Sequence, residues 1–218
     1  MKRKRRYLIA VAVSLAVMLA ALVYAASVRR YSADTRNTIT TGGIHIRLNE
    51  ITLIDTATGK PAVIDPATGE AADSGVSTAE ADFPADSAGG VANVLPGQAY
   101  AKRVSVTNRS AGQDAWVRVR VEKAFLNADG SVFAGDPAAL VLLGLNEADW
   151  SYDGGYYYYR HALSPGETTA ALFTGVLLDG ETLDGRYSGV KAAVSVTAHA
   201  VQVKNNADSA EAALGWPS

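Results

Sequence analysis

Apolar and polar residues alternate with period two through most of the chain after residue 43. Ile44, Ile46 and Leu48 alternate with His45, Arg47 and Asn49, which predicts a strand buried on one face. The apolar parity shifts at Ile51 and Leu53 and predicts a bulge near Asn49-Glu50. Val104 and Val106 stand against Arg103, Ser105 and Thr107. Within Trp116–Phe125, Val117, Val119 and Val121 oppose Arg118, Arg120 and Glu122. Val190, Ala192, Val194, Val196 and Ala198 form a long alternating strand, with a second bulge expected where parity slips near Ala200-Val201. Trp150 to Tyr159 reads as a hairpin closed at Asp153-Gly154-Gly155, a tight turn that needs positive φ. Leu172-Phe173 and Val176 to Leu178 add strand material. Leu140 to Leu145 fits a strand or a short helix, and Ala207 to Leu214 predicts a short helix. Turns fall at Val94–Gly97, Asn127–Gly130 and Ser164–Glu167. Many short strands with almost no helical period predict an all-β fold, an antiparallel β-sandwich. Jelly-roll and immunoglobulin-like topologies both fit, and the Cys…Trp…Cys signature of antibody-type domains is absent.

The ends of the chain follow other patterns. Lys2 to Arg6 form a positive stub, and Tyr7 to Ala26 is an apolar run closing on small residues. This is the layout of a signal peptide, and its length also suits a membrane anchor left uncleaved. Either way, the bases stay on the cytoplasmic side and the rest is sent outward. Residues 27–41 are a polar leader. The sandwich domain is expected over 42–204, with a C-terminal tail over 205–218. Within the domain, Ile54-Asp55-Thr56-Ala57-Thr58-Gly59 is echoed by Ile64-Asp65-Pro66-Ala67-Thr68-Gly69, each copy a turn in which Asp bonds the backbone ahead and Gly accepts positive φ. Residues 56–93 as a whole read as a long loop insertion, partly disordered.

Charge and chemistry narrow the function. Seven of the 20 Lys and Arg lie in residues 1–30, which hold no acid. The remainder therefore sets 13 bases against 22 acids, a balance of −9. An acidic domain repels phosphate, so nucleic acid is not an expected partner. With no cysteine there is no disulfide, thiol nucleophile or Cys-ligated zinc. His45, His161 and His199 lack metal-site spacing and are expected at the surface. Asn127–Ser131 lacks the repeated acids of a calcium loop. No Gly-x-Ser-x-Gly elbow or phosphate loop occurs. No cofactor, metal site or catalytic residue is expected, and the chain does not read as an enzyme. Asn108-Arg109-Ser110 matches a glycosylation acceptor. Tyr156, Tyr157, Tyr158 and Tyr159 should divide between the two faces of a strand. One pair would then pack in the core, leaving the other as a candidate exposed contact surface for sugars or a protein.

Taken in order, several short motifs resemble the TasA/camelysin family of exported bacterial matrix proteins with SipW-type signal peptides. They are Tyr31-Ser32-Ala33-Asp34-Thr35, Asn37 to Gly42 and Ile44 to Glu50; then Leu95-Pro96-Gly97 with Lys102, Val104, Val106 and Asn108; then Trp116 to Val119, Trp150 and Gly155 to Tyr159. Leu163 to Thr168, Ala198 to Gln202 and Ala213-Leu214-Gly215-Trp216 complete them. The resemblance implies a jelly-roll domain, cleavage by a dedicated signal peptidase, and assembly into extracellular biofilm-matrix fibres in which the freed N-terminal segment adds as a strand to a neighbour. The chain departs from the family's pattern where Arg29 and Arg30 precede Tyr31 and Ser32 replaces a second aromatic.

The function expected is thus a secreted structural subunit that polymerises with itself through residues 27–41. Tyr31, Asp34, Thr38, Ile39 and Thr40 mark the donor strand, and the same residues read equally well as a simple tether. A monomeric cell-surface binding or adhesion domain, held by membrane anchoring through Tyr7 to Ala26, is the alternative. A secreted metallopeptidase-like protein is a weaker one.

Overall fold

A computed structural model describes residues 43–82, 90–91 and 95–217. The apolar run Tyr7–Ala26, the leader with Tyr31, Asp34, Thr38, Ile39 and Thr40, and residues 83–89 and 92–94 lie outside the described residues. Within them the strands are β1 (Ile46–Asp55), β2 (Val63–Ile64), β3 (Thr78–Asp82), β4 (Gly90–Val91), β5 (Ala99–Ala101), β6 (Arg103–Asn108) and β7 (Ala115–Leu126). They continue as β8 (Val132–Phe133), β9 (Leu140–Leu143), β10 (Trp150–Asp153), β11 (Tyr156–Tyr159), β12 (Gly175–Leu178) and β13 (Lys191–Gln202). The fold is all-β. Three antiparallel sheets run in the orders β3-β1-β6, β2-β5-β12-β9 and β10-β11-β7-β13-β4, with β8 also on β7.

The longest pairing, β7 with β13, organises the core. Its register is continuous from Leu126↔Lys191 to Ala115↔Gln202. Val117, Val119 and Val121 line the inner face with Ala192, Val194, Val196, Ala198 and Ala200. Ile44, Ile46, Val104, Val106, Leu140, Leu172, Phe173 and Val176 from the other two sheets join the same cluster. Those two sheets are themselves stitched together. Residues 166–174 run beside β6, exchanging bonds from Gly166 N–H to Asn108 O (2.8 Å) through Leu172 N–H to Val104 O (2.8 Å), before the chain continues into β12.

Neither expected bulge forms. β1 pairs with β6 without interruption from Ile46↔Asn108 to Ile51↔Arg103. Its inner row continues through Glu50, which pairs with the buried Lys102, and Thr52, whose hydroxyl donates to Ala101 O at 2.8 Å. The apparent parity shift is an inner row that turns polar, while Leu53 packs with Ile64 and Ala99 on the opposite face. At Ala200-Val201 the register also holds. Ala200 faces the core and Val201 is buried against Trp116 under the C-terminal segment, so both faces are covered there.

The expected loop insertion over 56–93 gives way, in its described part, to ordered hairpins. The two repeats fold alike. Gly59 N–H donates to Asp55 O (2.7 Å) and Gly69 N–H to Asp65 O (2.8 Å), while Asp55 and Asp65 each accept the backbone N–H two residues on. Both glycines hold positive φ, a backbone conformation that residues with a Cβ rarely adopt. Their flanks feed β2 and β3 onto β5 and β1. Leu140–Leu143 is a strand. Ala207–Leu214 is not a helix but a loop of turns. The Asn206 side-chain oxygen accepts from both Ala207 and Leu214 N–H, each at 2.9 Å, and so closes the segment on itself.

Candidate functional site

The β10–β11 hairpin forms as expected, with Asp153 opposite Tyr156 and Gly154 and Gly155 both at positive φ. Two Gly at the turn satisfy the backbone that a two-residue hairpin requires. Trp150, buried at the hairpin's start, donates from Nε1 to Ala170 O at 3.2 Å, which anchors the hairpin to the segment beside β6. On that side, loop 144–149 closes against the hairpin. Asn146 accepts from Asp149 N–H (3.1 Å) and donates from Nδ2 to its carboxylate (2.9 Å), and His161 reaches the same carboxylate at 3.3 Å. Between loop and hairpin lies a cleft of about 400 Å³, walled by Leu145, Asn146, Glu147, Ser151, Tyr152, Tyr157 and Arg160. Tyr152 and Tyr157 are cross-strand partners with ring centroids 4.8 Å apart. Burial, then the facing Tyr152 hydroxyl and Glu147 carboxylate, raise the Tyr157 phenol above its ordinary range, so it stays a hydrogen-bond donor at neutral pH.

The expectation of an exposed tyrosine pair within Tyr156–Tyr159 is corrected. Tyr157 and Tyr159 pack on the main core, while Tyr156 and Tyr158 pack with Trp116, Val201, Ala210, Ala213 and Trp216 beneath the C-terminal segment. The exposed aromatic is Tyr152 on the partner strand, with 64% of its surface open. Alternation along one strand shows which residues share a face; it does not show that a distant tail covers the outer one.

That tail is held by Arg118, which the sequence places on the polar face of β7 and the structure buries. Its guanidinium lies 3.8 Å from the Tyr156 ring centroid and 4.8 Å from that of Trp216. Nη2 donates to Pro217 O at 2.5 Å and Nε donates to Nδ1 of His199 at 3.2 Å. Because a guanidinium only donates, the His199 proton sits on Nε2. His199 was expected at the surface, yet it is only 5% exposed. Burial, with Arg118 and Arg120 nearby, lowers its pKa below the ordinary histidine range. The folded chain therefore binds fewer protons here than the unfolded one. Stability present above the ordinary histidine pKa of about 6.5 is lost as pH falls toward the depressed folded value. We expect the urea midpoint to drop between pH 7 and pH 5 in the native chain. In His199→Asn, which keeps an acceptor at the same place but does not titrate, most of that drop should disappear; an equal drop would assign it elsewhere.

The histidines do not meet. His45 lies beside Ser110, His161 beside Asp149 and His199 beside Arg118, and among the described residues no three His, Asp or Glu side chains gather as a metal site. Asn108, the formal glycosylation acceptor, is fully buried with its amide engaged on three backbone groups. The sequence reading missed Glu147 and Arg160 as cleft residues, because they are brought to the hairpin by a loop with no periodic signal. Against protein-family models, curated proteins and solved structures, the chain matches none.

Proposed function

We propose that the chain is an exported structural subunit of the TasA/camelysin type, a jelly-roll-like β-sandwich that polymerises with itself into extracellular matrix fibres. In this reading the apolar run directs export, a signal peptidase releases the leader, and residues 31–41 add as a strand to the next subunit. No cofactor or nucleic acid takes part, and the protein is not an enzyme. One observation carries the proposal. β9, Leu140-Val141-Leu142-Leu143, pairs with β12 on one side only among the described residues, has no charged residue, and leaves Val141 exposed. An apolar edge strand is a template for another strand; here the Lys123 ammonium caps only its first carbonyl, Leu140 O, at 2.9 Å. Of the other edge strands, β10 is as long as β9 and ends on a charge, Asp153. β3 carries Glu80 and Asp82 in ion pairs with Arg103 and Arg47, and β2 and β4 are two residues each. The leader supplies Thr38-Ile39-Thr40, a β-prone sequence, and a donated strand satisfies backbone groups on both molecules. A head-to-tail contact that does not close gives a filament.

Negative-stain microscopy of protein beginning at Tyr31 should show regular filaments. Deleting residues 31–41, or introducing Val141→Lys, should leave a folded monomer that forms none. Unchanged filaments from the deletion would rule out strand donation by the leader. Monomers alone from the undeleted protein, across pH and concentration, would favour the anchored surface domain instead.

A further inference from the structure

We propose that the cleft between loop 144–149 and the β10–β11 hairpin is a saccharide-binding site, taking a neutral pyranose unit of a longer glycan with its apolar ring face on Tyr152. The site does not depend on polymerisation and would serve a monomer or a fibre equally. Its volume of about 400 Å³ falls in the ~300–1,000 Å³ range of small-molecule sites. The floor is aromatic: Tyr152 is open to solvent, and Tyr157 meets it at 49°. A phenol ring offers apolar area beside a polar hydroxyl, which matches a sugar with C–H groups on one face and hydroxyls at its edge.

Polar groups converge where those hydroxyls would lie. Glu147 and Arg160 both line the cleft, and among the described residues neither side chain is engaged in an ion pair within 4.0 Å. Tyr157 adds a protonated phenol. The lining holds one acid, Glu147, and one base, Arg160, with the Asp149 and Glu211 carboxylates bonded to its Asn146 and Ser151, so a polyanion gains nothing there. A carboxylate and a planar guanidinium are suited to adjacent hydroxyls, the one accepting and the other donating in a fork. The cleft is also pre-formed. Trp150 is pinned by Ala170, Asn146 is closed on Asp149, and Ser151 Oγ bonds the Glu211 carboxylate of the tail, so little ordering is needed on binding. An extended proline-rich peptide is the competing ligand class. It needs a row of parallel aromatic ridges, and here two inclined rings end at a charged rim.

The test is calorimetric titration of the full chain, in a polyoxyethylene detergent that carries no sugar. The probes are β-1,4-linked hexaoses of glucose and of N-acetylglucosamine, with decaproline as comparison. At least one hexaose should bind with one site per chain, and decaproline should not. Tyr152→Ala should weaken binding about tenfold or more, as expected when an aromatic platform worth about 1.4 kcal/mol is lost. Glu147→Gln and Arg160→Met should each weaken it several-fold, with circular dichroism unchanged in all three. No binding of either hexaose, equal binding by Tyr152→Ala, or binding of decaproline in place of the hexaoses would each overturn the assignment.

Discussion

Replacing Asn108 by leucine is expected to lower the unfolding free energy by about 3–5 kcal/mol, enough to move the thermal midpoint by roughly 10 °C. The residue ends β6 fully buried. Its Nδ2 donates to the carbonyls of Gln113 and Leu163, both at 2.8 Å, and its Oδ1 accepts the Ser110 N–H at 2.9 Å. Its own backbone bonds Gly166 and Glu167. The amide thus ties the end of β6 to the loop leading to β7 and to the stretch after the hairpin, and the backbone of the same residue holds the turn into residues 166–174. Leucine fills much of the same volume but removes the partner of the buried Ser110 N–H and of the Gln113 carbonyl, while Leu163 O keeps the Ala115 N–H at 3.0 Å; each group that cannot relax costs about 1–3 kcal/mol. Asn108→Asp separates hydrogen bonding from shape. It retains the Ser110 contact but turns a second oxygen toward two carbonyls, so it should be about as damaging as leucine. Denaturation followed by circular dichroism measures both, and a cost below about 1 kcal/mol for either would show that the surrounding loops reorganise to satisfy themselves.

The second large effect is expected at the corner between β5 and β6. Lys102 is only 2% exposed, and its Nζ lies 3.0 Å from the Glu50 carboxylate of β1. Burial lowers the Lys102 pKa, and Glu50 works against that shift. The partners are unequal. The Lys102 side chain is 3% exposed and that of Glu50 is 23% exposed, so Glu50 can turn toward water and Lys102 cannot. Glu50→Leu removes the carboxylate that balances a buried ammonium and should cost about 3–5 kcal/mol at pH 7, with Lys102→Met costing less. The double variant Glu50→Leu with Lys102→Met should recover most of the loss, because two apolar groups of similar size need no compensation there. The pH dependence gives an independent check. In Glu50→Leu the folded-state pKa of Lys102 falls further below its unfolded value of about 10.4. The unfolded chain then binds more protons over that interval, and stability rises with pH. The deficit should narrow between pH 7 and pH 10. A constant deficit would mean that the loss comes from packing rather than from charge.

Legibility in the sequence followed the range of the physics involved. Strand alternation at Val104–Val106, Val117–Val121 and Val190–Ala198 depends on neighbours two residues apart, and these segments fold as β6, β7 and β13. The Asp-x-x-x-Gly repeats and Asp153-Gly154-Gly155 are closed by bonds within a few residues, and each turn stands where its residues placed it. The errors arose where a distant segment changes the environment of a local pattern. Two bulges were inferred because one-sided burial was assumed. At β1 the inner row turns polar, since Glu50 meets Lys102, more than fifty positions away in the chain. At Val201 the outer face is buried by the tail. For the same reason His199, and one unspecified pair among Tyr156–Tyr159, read as surface residues.

The all-β class, the long strands, the tight turns and the apolar, basic N-terminal layout are legible from the residues alone, because these rest on period and local backbone chemistry. It took the packed fold to show that Arg118 clamps the C-terminal segment, that Tyr152 rather than the Tyr156–Tyr159 run is the open aromatic, that β9 is an apolar edge strand, and that Glu147 and Arg160 share a cleft with Tyr152. Each of these depends on contacts between elements far apart in the chain, whose burial and charge compensation are set when the sheets pack together.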